Sequence, residues 1–152
     1  MQKVLLLLFA VCALSCGVAR AQLKPCSQAE NLQAENEVVT LRTWDALYKS
    51  YRLYARCNNA DAAEGYSESV ARILVDRWET LHRFSELAVR DKGFREFVLG
   101  HVDATLDMTD VRTIRTNAIR RCPAALSELC KDLRKEAEAA IQEDASVGNT
   151  KQ

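Results

Sequence analysis

Between Leu41 and Ile141 the large apolar side chains recur in steps of three and four, a period that confines the chain to helices sharing a core. Leu41, Trp44, Leu47/Tyr48, Tyr51 and Tyr54/Ala55 form one stripe. Thr40 or Thr43 is placed to cap its start, and Asn58-Asn59 interrupts it just after Cys57. Asp61 is placed to cap a second helix, with its stripe through Tyr66, Val70, Ile73/Leu74, Trp78 and Leu81. Residues 81–89 read as a shorter helix or a bent continuation, closed by Asp91-Lys92-Gly93. Phe94, Phe97/Val98, His101/Val102 and Leu106 keep the same spacing. Asp107 to Thr109 then supplies a break, after which residues 110–121 turn Val111, Ile114 and Ala118 inward. Cys122-Pro123 stops that helix and opens a last one bearing Leu126, Leu129/Cys130, Leu133, Ala137 and Ala140/Ile141.

Apolar alternation bounded by hairpin turn chemistry does not occur, and two prolines with five glycines are too few punctuators for a many-stranded β fold. The expected architecture is all-α, a compact bundle of five to six short helices over residues 38–142. Residues 22–37 are polar, with the echo Gln28-Ala29-Glu30-Asn31 and Gln33-Ala34-Glu35-Asn36, and offer only Leu23 and Leu32 as sizeable apolar groups. They are expected to form a loose N-terminal arm, and residues 143–152, which have lost the pattern, a frayed tail.

The first 21 residues carry an export signal: Lys3, an apolar run from Val4 to Leu14, then Ala19-Arg20-Ala21 as an A-x-A cleavage site. The apolar run is too short to span a bilayer, and no transmembrane segment is expected after its removal. Ala13-Leu14-Ser15-Cys16 resembles a bacterial lipobox with Ala in place of the usual Leu, so a form lipid-anchored through Cys16 is the lesser alternative. Cleavage at Ala21 removes Lys3 and Arg20 from the 21 basic residues, leaving 19 against 21 acidic ones, a formal charge of −2. Such a balance has no general attraction for nucleic acid.

Cys12 and Cys16 leave with the signal, and Cys26, Cys57, Cys122 and Cys130 remain. An even count in an exported chain predicts two disulfides. If Pro123 opens a helix, Cys122 and Cys130 stand about 12 Å apart along its axis, beyond disulfide reach. Cys57 is therefore expected to bond one of those two and Cys26 the other. No C-x₂-C spacing points to zinc.

No catalytic motif stands out, and no cofactor is implied. His101, in a stripe with Phe94, Phe97 and Val98, is expected to be a partly buried histidine bonded to backbone or carboxylate, with a ligand contact as the functional reading. Asp103-x-Thr105-x-Asp107 begins like a calcium loop, but Met108 and Ile114 stand where Gly and a bidentate Glu are needed. Gly65 in the segment Glu64-Gly65-Tyr66-Ser67-Glu68-Ser69 permits close approach of another backbone, and Ser69 replaces the second glycine of a hydrolase elbow. Arg112, Arg115, Arg120 and Arg121 form a cationic run that complements the helix dipole or meets an acidic partner. Trp44, Tyr48, Tyr51 and Tyr54 are expected in the core, the alternative being a ligand groove.

Arg56-Cys57 leading into Ala63-Glu64-Gly65-Tyr66-Ser67-Glu68-Ser69-Val70, Phe97-Val98-Leu99 with His101-Val102-Asp103-Ala104-Thr105, and Arg121-Cys122-Pro123 together resemble small exported helical proteins of bacteria without assigned function. The set is more distantly similar, over roughly residues 41–133, to the periplasmic immunity proteins that neutralise type VI amidase toxins. The resemblance implies a bacterial periplasm and carries over no functional residue. The expected function is a non-catalytic binding protein that docks a protein partner in the cell envelope. Glu64, Tyr66, Glu68, Arg112, Arg115 and His101 are its candidate contacts. The alternative is a carrier of a small apolar ligand in a helical pocket.

Overall fold

The computed structural model describes residues 25–57 and 60–149. The expected signal peptide, its cleavage site and Cys16 lie outside them. Among the described residues seven α-helices follow one another: α1 (Gln28–Val38), α2 (Trp44–Tyr54), α3 (Ala60–Asp76), α4 (Leu81–Arg90), α5 (Lys92–Gly100), α6 (Met108–Arg120) and α7 (Ser127–Asn149). Short 3-10 turns at Ala55–Cys57, Trp78–Thr80 and Ala124–Leu126 supply corners, and no strand occurs among the described residues. The all-α expectation holds, with more helices than the stripes had marked.

The starts of these helices follow from side chains that bind the open backbone N–H groups of a first turn. The Ala46 N–H donates to Thr43, the Phe94 N–H to Asp91 and the Thr109 N–H to Asp107, which places the beginnings of α2, α5 and α6. Asp91 thus ends one helix and begins the next. One interior joins the helices, with Trp44, Tyr66, Phe84, Phe94, Leu47, Ile73, Leu74 and Ile114 all fully buried. Trp44 stacks on Phe84 with ring centres 4.7 Å apart, and Phe94 meets the rings of Phe84, Tyr48 and Tyr51. Tyr48 and Tyr51 pack on this core at its rim, where the Tyr48 hydroxyl donates to Asp91. Trp44, Tyr48 and Tyr51 thus join the interior by ring-on-ring contact, while Tyr54 packs in a smaller cluster with Ala34, Cys57 and Ala62.

Three expectations need correction. The stretch predicted as a loose arm, residues 22–37, holds all of α1 but its last residue, Val38, and Ala34 within it is buried. Ser27 and Glu30 close a reciprocal capping box at its start, while Leu32 stays exposed. The helix is held by small side chains at close range, so a search for large apolar groups passes over it. Gly65 on α3 makes that range accessible, and the Ser69 hydroxyl donates to the Val38 carbonyl beside it.

The disulfides pair neighbours, Cys26 with Cys57 and Cys122 with Cys130. Cys122 and Cys130 do not share a helix. Pro123 is extended (φ −64°, ψ 136°), a 3-10 turn follows, and α7 begins only at Ser127. That corner folds the chain back and brings the two Cα atoms to 6.0 Å. The other bond joins the approach to α1 to the turn after α2, with Cα atoms 5.1 Å apart.

Finally, α7 continues to Asn149, past the expected end of order near residue 142. Buried positions on it stop at Ala140, and residues 142–148 prolong the helix as an exposed rod.

Candidate functional site

The outer face of α3 carries Glu64, Ser67, Glu68, Arg72, Val75 and Asp76 at helical steps. Opposite it runs the connection from α5 to α6, residues 101–107, and the first turn of α6. Between them lie two abutting depressions. One, of about 260 Å³, is lined by Glu68, Arg72, Asp76, Asp107 and Asp110. The other, of about 460 Å³, contains His101, Asp103 and the Gly100 backbone. Glu64, Ser67 and Thr105 border both, so the two form one trough.

Six carboxylates and one guanidinium line this trough. Arg72 is already engaged, 3.9 Å from Glu68 and donating to the Leu41 carbonyl. Burial, together with Asp107 and Asp76 nearby, raises the pKa of Asp110 above the ordinary carboxylate value, with Arg72 opposing. Asp107 moves the other way because it accepts from the Thr109 N–H and hydroxyl at the head of α6. Asp103 accepts from the Thr105 N–H at 2.8 Å, from the Thr105 hydroxyl, and from Ser67 at 3.2 Å. That turn fixes the wall of the trough. Among the described residues, no three His, Cys, Asp or Glu side chains converge as a metal-ligand set.

His101 sits where α5 ends, 7% exposed, tilted against the Phe97 ring at 4.2 Å and edge-on to Tyr66. Its Nδ1 lies 2.7 Å from the Phe97 carbonyl oxygen. A carbonyl only accepts, so Nδ1 must be the donor, which leaves Nε2 a bare lone pair in the neutral ring. Burial lowers the pKa of His101, against the pull of the Phe97 carbonyl and Asp103. Ser67, His101 and Asp103 share this end of the trough, but not in the order of a nucleophilic relay. Ser67 donates directly to Asp103, and the histidine is anchored to backbone.

The sequence candidates divide accordingly. Glu64, Glu68 and His101 come together in the trough. Tyr66 is wholly buried beneath it, its hydroxyl 2.9 Å from that of Ser50. Arg115 donates to Glu138 and so ties α6 to α7. Arg112 lies in a separate shallow depression with Thr109, Thr113, Thr116 and Asn117. Sequence reasoning missed Asp76, Asp103 and Asp110 as partners of Glu64 and Glu68. Acidic residues spaced along one helix and again around a distant helix start were the available signal. No protein-family model, curated protein or solved structure matches the chain.

Proposed function

We propose that this is an exported, non-catalytic helical binding protein that docks a protein partner through the acidic trough, in the manner of an immunity protein or inhibitor. The observation that carries the reading is the convergence of six carboxylates from α3, the α5–α6 connection and α6 on one concave surface. Like charges held together raise the local negative potential and favour a complementary cationic surface. Two disulfides are compatible with an oxidising compartment outside the cytoplasm. No helix among the described residues is long and apolar enough to cross a membrane. The cell envelope is the place we assign to the docking, with the resemblance to exported bacterial proteins behind it.

A photo-crosslinking side chain at Glu64, compared with one at the exposed Val89 on α4, tests this in the producing cell. A protein adduct formed from position 64, not from 89, and lost in Glu68→Arg is expected. Equal adducts from both positions, or persistence in Glu68→Arg, would overturn the reading.

A further inference from the structure

We infer that α1 is a redox-gated strap, held against α2 and α3 by the Cys26–Cys57 bond. Exchange of that bond with a dithiol reductant releases residues 28–35 while the main core stays folded. The buried side chains fall into two groups. One core runs from Val38 to Ala140 in sequence, whereas Ala34, Tyr54, Cys57 and Ala62 form a separate small cluster with Cys26 packed against it. The bond and the outer part of α1 belong to that second cluster, so opening it leaves the first intact.

The apolar hold on this part of α1 is slight. Ala34 is its one buried side chain before Val38, and Leu32, the largest apolar group on the helix, is 59% exposed. Burying a methyl group offsets little of the entropy lost in ordering the backbone, and a helix of 11 residues is marginal in water by itself. The Glu30–Arg56 ion pair, about a third exposed, adds little. At its other end the helix is anchored. Val38 seats against Gly65, its carbonyl accepts from the Ser69 hydroxyl, and Leu41 is buried in the main core. Release therefore pivots at Val38.

The second bond supplies an internal contrast. Cys130 lies in the main core with Cys122 packed against it, and α7 buries Leu129, Leu133, Ala137 and Ala140 there as well. Breaking that link frees no element.

Cys26 is partly exposed and Cys57 is 2% exposed, so a thiolate reaches the Sγ of Cys26 first. Attack there breaks the S–S bond and expels Cys57 as a thiolate, which takes up a proton. The second thiol of the reductant then displaces Cys26 from the mixed disulfide. Two electrons pass to the cystine, and the reductant leaves as its own disulfide.

Backbone NMR of the folded chain tests the strap in two variants, Cys26→Ser/Cys57→Ser and Cys122→Ser/Cys130→Ser. In the first, residues 28–35 are expected to move to coil shifts while Phe84, Phe94 and Ile114 keep their folded positions. In the second, residues 28–35 should keep theirs. The wild-type chain is also held in dithiothreitol and pulsed with N-ethylmaleimide. Cys57 should then be labelled at least about tenfold faster than Cys130, although the oxidised fold buries both alike, at 2% and 3% exposure. Helical shifts retained at 28–35 without the first bond would overturn the strap. So would collapse of the whole spectrum, release of α1 on loss of the second bond, or equal labelling of the two thiols.

Discussion

A Cβ built on Gly65 of α3 would lie 2.3 Å from Cγ2 of Val38 on α1, closer than two carbon atoms can stand. The glycine sits in mid-helix at a cost of about 1 kcal/mol relative to alanine, and its use is this crossing. Gly65→Ala is therefore expected to destabilise the protein by about 1–2 kcal/mol, the overpacking penalty reduced by the gain in helix propensity. Urea unfolding followed by circular dichroism reads the change. An increase in stability would show that α1 can shift without loss.

The two disulfides close loops of very different length, with sequence separations of 31 and 8. On chain entropy alone the first is worth about 4 kcal/mol and the second about 2.5 kcal/mol. Paired serine replacement of Cys26 and Cys57 should thus lower the unfolding free energy more than that of Cys122 and Cys130. Mass mapping of the non-reduced digest should recover peptides joined in these two pairs and not across them.

His101 makes acid stability directional. Its pKa is lowered in the fold, so the unfolded chain binds the extra proton more readily. The stability that neutral His101 provides is complete above the unfolded value near 6.5 and falls away as the pH drops towards the folded value. Within that window the slope is at most about 1.4 kcal/mol per pH unit. Unfolding curves between pH 7.5 and 5 should show the decline, and His101→Phe should flatten it. An unchanged slope in the variant would assign the decline to other groups.

Charge reversals at two sequence candidates should part ways. Arg115 meets Glu138 across α6 and α7, both about two-fifths exposed, an arrangement worth roughly 0.2–1 kcal/mol. Arg115→Glu is expected to cost about that much stability and leave docking intact. Glu68→Arg should leave the melting temperature within about 2 °C and weaken docking, because the lost contact with Arg72 is long and exposed. Thermal melts beside crosslinking yields separate the two outcomes.

The stripes through Trp44, Tyr66, Phe94 and Ile114 were legible because large apolar groups recur about one helical turn apart along each and enter one core. Ala34 was not, since a small side chain leaves no mark in an apolar period, and the Tyr54, Cys57 and Ala62 side chains that it packs with stand at least 20 positions later. The corner at Pro123 was misread for a related reason: a proline fits both a helix start and an extended turn, and tertiary packing chooses between them. Glu64, Glu68 and His101 could be picked out singly. Asp103 and Asp107 read as the opening of an incomplete calcium loop, and the structure uses them to hold a turn and to cap α6, with Asp110 in its first turn. Only the approach of the α5–α6 connection to α3 adds them to the same surface.

The cross-links succeed one another along the chain and neither encloses the other, as Cys26 joins Cys57 and Cys122 joins Cys130. A polypeptide emerging N-terminus first has both halves of the first bond before any part of the second arrives. Oxidation in order of appearance then yields the native pairing, with no mispaired link to undo. The intervening span that bears the trough contributes no thiol to this sequence of events.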